Sequence, residues 1–237
     1  MLEPIGWLDA ITALGVVLVG GVFGILSFYK SIKLKAKLLG VSGLCVLCIG
    51  FLLLGAAVDF FTILITDNNM ESLVLYGLLS YSWAAPLTIL GLYIGGELLA
   101  PKKKWIIVSI YIALAVIFEV ILFYAAFTNP ESVFNFPSPL PNGTALLNTG
   151  IQIRSIAFIL MIFFLVSGLI FNGFGFLNKS FKASGDLKKR FLFLSLGWII
   201  FIICGAFDGL FDPGFITVPV RMGWMVSIVL MYLGIRT

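Results

Sequence analysis

Residues 7–37 read WLDAITALGVVLVGGVFGILSFYKSIKLKAK. From Trp7 to Tyr29 the one charged side chain is Asp9, and then Lys30, Lys33, Lys35 and Lys37 follow in quick succession. About 20 helical residues cross the hydrocarbon core of a bilayer, and a chain inside that core satisfies its peptide groups by coiling into a helix. The stretch therefore reads as a membrane-crossing helix with a basic end. Working outward, six more apolar runs follow, giving seven spans near residues 7–29, 38–65, 73–99, 105–127, 150–177, 190–211 and 216–235. The expected fold is all-α: a single polytopic bundle of seven transmembrane helices over residues 1–237, with little chain left for a soluble domain. Composition agrees, at 61% hydrophobic and 11% charged, against roughly half and a quarter in soluble domains.

The basic residues set the expected orientation. Four lysines follow the first helix; Lys102, Lys103 and Lys104 follow the third; Lys179, Lys182, Lys188, Lys189 and Arg190 follow the fifth; Arg236 follows the seventh. Lys and Arg concentrate in cytoplasmic loops, so the N-terminus is expected outside and the C-terminus in the cytoplasm, in the plasma membrane. Glu3, Asp9, Asp67, Glu71 and Glu131 fall on the other side. The net charge of +4 thus marks a membrane surface, and no nucleic-acid partner is expected. The N-terminus lacks a basic region and a small-residue cleavage site, so the first helix reads as retained.

The longest connection, residues 128–149, is rich in proline (Pro130, Pro137, Pro139, Pro141). Proline blocks regular helix, so this is an external loop expected to fold back over the outer mouth of the bundle. It carries the sequon Asn142-Gly-Thr144; that at Asn178-Lys-Ser180 falls on the cytoplasmic side. A shift of 149 positions lays Lys30-Ser31-Ile32-Lys33 on Lys179-Ser180-Phe181-Lys182 and Asp59 on Asp208. That register is compatible with a 3+1+3 parallel repeat of the kind seen in transporters, and equally with chance similarity between apolar helices that have basic ends.

No histidine is present, which removes the commonest metal ligand and general base. No metal, cofactor or catalytic residue is expected, and the chain does not read as an enzyme. Cys45 and Cys48, spaced as CxxC, and Cys204 lie in apolar helices and read as packing. The Pro86-Leu87 step and the Arg221-Met-Gly-Trp224 stretch resemble microbial rhodopsins. Retinal photochemistry is nonetheless excluded: all eleven lysines fall in the loops, and Arg221, standing where the lysine would be, cannot be deprotonated to form a Schiff base.

Intramembrane charge is costly and so marks functional candidates. At 1.5 Å per helical residue, Asp59 lies roughly 9 Å below the outer end of its helix and Glu119 about 12 Å below that of its own. Arg154 and Arg221 enter about one turn into the fifth and seventh helices, and Asp208 and Asp212 lie within a turn of the outer end of the sixth. Glu119 has apolar neighbours in Ile117, Phe118, Val120 and Ile121. All these charges occupy the outer half. They read either as a cavity that binds a small or lipidic ligand or as interhelical ion pairs, with Arg221 and Arg154 pairing Asp208 or Asp59. Asp212, followed by Pro213-Gly214, also reads as a helix end. Tyr81 and Trp83, close to Pro86, read either as the wall of an apolar ligand pocket or as packing.

The run Tyr81-Ser-Trp-Ala-Ala-Pro86, continuing to Tyr93 and then Lys102-Lys103-Lys104, resembles the third helix of the seven-transmembrane N-terminal sensor regions of membrane histidine kinases. The resemblance implies a receptor-like sensor that takes a ligand in the outer half of the bundle. It further implies an output through a cytoplasmic signalling partner docked on Lys179, Lys182, Lys188, Lys189 and Arg190. A small seven-helix transporter built on the 3+1+3 repeat and an accessory subunit of a membrane complex stand as alternatives.

Overall fold

The computed structural model describes residues 2–210 and 214–236. Asp212 and Pro213, where a helix end was expected, lie outside the described residues. The chain is almost entirely helical. Six helices are long and apolar enough to cross a membrane, or seven if one bent pair counts as a single span.

The first span is α1 (Pro4–Leu34), which Pro4 opens and which ends where Lys35 turns into the left-handed region at φ 54°. The bent pair is α2 (Lys37–Phe51) and α3 (Leu54–Thr66), at 49° to each other. Numbered with the bent pair counted as the second, the third span is α4 (Leu73–Tyr81) with α5 (Ala84–Leu99), and the fourth is α6 (Lys104–Thr128). The fifth runs through α7 (Ile156–Gly168), a π-helical stretch (Leu169–Phe174) and α8 (Gly175–Lys182). The last two are α9 (Gly185–Leu210) and α10 (Thr217–Ile235). The helices run further than the apolar stretches do, so Lys30, Lys33, Lys37, Lys104, Lys179, Lys182, Lys188 and Lys189 stand in terminal helical turns rather than in loops. A helix continues past the apolar boundary because its backbone hydrogen bonds hold in water as well, until a cap stops it. None of these lysines stands mid-helix, and the exclusion of a Schiff base is unaffected.

The interruptions have local causes. Pro86 has no N–H to give Ser82, and the span breaks at Ser82-Trp83. The bend between α2 and α3 serves two close approaches. A Cβ on Gly20 would stand 2.6 Å from Gly50 Cα, so α1 and α2 meet backbone to backbone, as small residues permit between membrane helices. Beyond the bend, Gly55 lets α3 lean on Ser80 Oγ and the Tyr76 carbonyl of α4. In the fifth span the π-helix leaves backbone groups that side chains satisfy: Ser195 Oγ on α9 donates to the Gly173 carbonyl at 2.8 Å. Asn172, fully buried there, donates through Nδ2 to the Gly91 carbonyl of α5 at 3.0 Å.

The long connection between α6 and α7 folds back onto the bundle at the end opposite the lysines. Short strands β1 (Phe134–Asn135) and β2 (Gly150–Ile151) pair antiparallel. Val133, Phe134, Leu146, Leu147 and Ile151 are buried; Phe134 stacks on Tyr81 at 6.3 Å, and Glu3 N donates to the Thr144 carbonyl at 2.8 Å. The loop is thus part of the apolar core, tied to α1 and α4. Asn142 of its sequon is exposed on this loop at φ 46°.

Candidate functional site

Arg221 is the one cation held deep in the described bundle, on the second turn of α10 and only 6% exposed. Its Nη1 lies 2.6 Å from Asp9 Oδ1 on α1 and donates to the Asp9 backbone carbonyl at 2.6 Å. Its Nε donates to Asp208 Oδ1 on α9 at 3.2 Å. Asp9 stands five residues into α1, about 8 Å along the axis, and Arg221 four residues into α10, about 6 Å. The two helices therefore bring both groups to the same level from the loop end. One guanidinium with its donors in a fixed fork joins three helices.

Asp59, paired with an arginine in one sequence reading, instead anchors loops. Its buried carboxylate accepts from Met70 N at 2.7 Å, from Leu147 N at 2.8 Å and from Asn69 Nδ2 at 2.9 Å. Asn69 extends the anchor, accepting from Gly143 N at 2.6 Å and donating to the Ala145 carbonyl at 2.9 Å. A carboxylate that takes several N–H donors is satisfied without a counter-charge. Arg154 falls in the exposed turn just before α7 rather than one turn inside a helix. Ser155 caps that helix by accepting from Phe158 N at 3.1 Å, so the helical register starts after Arg154.

Glu119 sits alone on α6, both carboxylate oxygens shielded and without a hydrogen-bond partner among the described residues. An unpartnered buried polar group costs about 1–3 kcal/mol. Glu119→Leu is therefore expected to stabilise the protein by that order, seen as later thermal exposure of the buried Cys45 and Cys48 thiols to a maleimide dye. Earlier exposure would mean that the carboxylate has a stabilising partner. Tyr81 donates to the Thr149 carbonyl at 2.8 Å, and Trp83 packs edge-on against Phe51 at 4.8 Å; both rings are engaged in packing. Lys179, Lys182, Lys188 and Lys189 are exposed at the basic end, with Arg190 half-buried beside them.

The structure thus brings Arg221 and Asp208 together and leaves Asp59, Glu119 and Arg154 apart from them. Sequence reasoning missed Asp9, which reads as an N-terminal surface acid until α1 is seen to begin at Pro4. It also missed Asn69 and Asn172, whose only signal was an amide in or beside an apolar run. Two open depressions lie at the basic end, away from the Arg221 cluster. Comparison of the chain with protein-family models, with curated proteins and with solved structures finds no match in any of the three.

Proposed function

We propose that the chain is a receptor-like sensory protein of seven membrane spans, with its N-terminus outside and its C-terminus cytoplasmic. Its input acts on the outer half and its output on a cytoplasmic partner at the Lys179–Arg190 face. The orientation rests on the lysines gathered at one end. The observation that carries the reading is the Arg221 cluster beneath the folded-back loop. A small or lipidic ligand with an acidic group competes with Asp9 and Asp208 for one guanidinium, and so loosens α1, α9 and α10 together. Two of these helices meet again at the basic end, where Lys30 Nζ on α1 donates to Tyr232 Oη on α10 at 2.6 Å and Phe23 packs edge-on against the same ring at 5.1 Å. A change in how α1 sits on α10 is therefore felt at both ends. A ligand shifts such an equilibrium only by its differential affinity for the two arrangements.

The test uses spin labels at Lys33→Cys and Ser184→Cys in a Cys204→Ser background, with distance distributions measured in nanodiscs. Asp208→Asn, which frees one limb of the cluster, is expected to shift the distribution at the basic end. An unchanged distribution overturns the coupling. That outcome would favour the second reading, an accessory subunit, whose support is that Arg221, Asp9 and Asp208 close on one another. Nothing comparable favours the transporter: the interrupted spans are the second, third and fifth, and the spans that a 3+1+3 repeat would pair with them are continuous.

A further inference from the structure

At the basic end, α5 and the fifth span part around a cavity of about 370 Å³. Its apolar wall is Leu99, Ile170 and Phe171, and its polar rim is Asn178, Lys179 and Lys182. A second depression of about 330 Å³ shares Leu99 and Ala100 with the first and adds Lys102 and Lys103. The two adjoin at Leu99 and Ala100, a recess with four lysines among its lining residues. Neither is lined by an acid. The nearby Glu97 is taken by Lys104 at 2.6 Å, and among the described residues none of the four rim lysines is in an ion pair.

The lining includes an irregular backbone: Ile170 and Phe171 belong to the π-helical stretch, a form of backbone that recurs at functional sites. Gly175, in the same wall, lets Leu99 approach closely; a Cβ there would stand 2.7 Å from Leu99 Cδ1. The surface leading from the recess into the apolar zone is apolar as well, with Ile170 and Phe174 strongly exposed.

We infer that this recess is a binding site for an anionic phospholipid, its phosphate among Lys179, Lys182, Lys102 and Lys103 and its acyl chains along Ile170, Phe171 and Phe174. Basic pockets between helices at the cytoplasmic side suit such headgroups. A free phosphate would draw on the lysines but gain nothing from the apolar wall. The inference goes beyond the sensory reading and stands without it. It leaves Lys188, Lys189 and Arg190 for a protein partner.

The experiment counts lipids retained by the purified chain from micelles holding equal phosphatidylglycerol and phosphatidylcholine, by native mass spectrometry. A preference for phosphatidylglycerol of at least about 25-fold is expected, since each lysine near an anionic surface is worth about fivefold and at least two reach the phosphate. Lys179→Gln with Lys182→Gln is expected to cut it by at least about fivefold. Lys188→Gln with Lys189→Gln, the same loss of charge outside the recess, should leave it unchanged, and Lys179→Arg with Lys182→Arg should preserve it. An equal fall in both glutamine variants, or none in the first, overturns the site. Displacement of the lipid by excess glycerol phosphate would show a phosphate site in its place.

Discussion

Arg221→Gln is expected to cost about 3–5 kcal/mol, a large share of the roughly 5–15 kcal/mol that holds a domain folded. Glutamine cannot supply the charge that Asp9, 4% exposed, and Asp208 share, and removing one member of a buried ionic cluster leaves the remaining charges uncompensated. The loss should appear as early labelling of Cys45 and Cys48 by a maleimide dye on heating, since both thiols are buried in the fold. Combining Arg221→Gln with Asp9→Asn and Asp208→Asn is expected to restore most of the stability, because no charge is then stranded. Arg221→Lys should fall between, as one ammonium cannot reproduce the fork that reaches both α1 and α9. A single glutamine variant as stable as the wild type would show that the cluster holds nothing together. The Lys104–Glu97 pair, with Glu97 42% exposed and Lys104 13% exposed, offers the contrast: an ion pair whose carboxylate water reaches contributes little, and Glu97→Gln should leave the melting curve in place.

Asp59→Ala is the second large effect, and its signature is local. Three hydrogen bonds end on this carboxylate, and without it the N–H groups of Met70 and Leu147 are stranded in a buried setting. A loss of about 2–4 kcal/mol follows from unsatisfied donors and a lost charge-assisted acceptor. Because Leu147 and, through Asn69, Gly143 and Ala145 belong to the long loop, the loop should detach before the bundle melts. Limited proteolysis is expected to cut within residues 129–155 in the variant while the far-ultraviolet helical signal stays close to wild type. Asp59→Asn should be milder, keeping one acceptor oxygen, and Asn69→Ala should expose the loop in the same way. Protection of the loop in Asp59→Ala would mean that its apolar residues alone hold it down.

The helices were legible in the sequence because hydropathy acts residue by residue. Apolar runs gave each helix to within a few positions, except that α7 begins at Ile156 rather than near 150, since apolar Ile151 and Ile153 belong to the folded-back loop. The candidate charges were legible as charges, and Arg221 with Asp208 as one of the pairings on offer, but the other partners were not. Asp9 and Arg221 lie 212 positions apart, and Asp59 finds its partners chiefly in backbone N–H groups, which every residue but proline carries and no side-chain pattern reveals. The π-helix that lines the basic recess is equally invisible, being a hydrogen-bond shift of the backbone.

What the sequence by itself determined is the membrane character, the approximate spans and the gathering of lysine at one end of the bundle, each a matter of local composition against the bilayer. Only the tertiary structure decided that Asp9 rather than Asp59 or Arg154 completes the Arg221 cluster, that Asp59 holds the loop, and that Leu99 and Ile170 face a common depression at the basic end. Those outcomes depend on which helices are neighbours and how each is rotated about its axis, and both are set by close packing at residues such as Gly20, Gly50 and Gly55 across the whole chain.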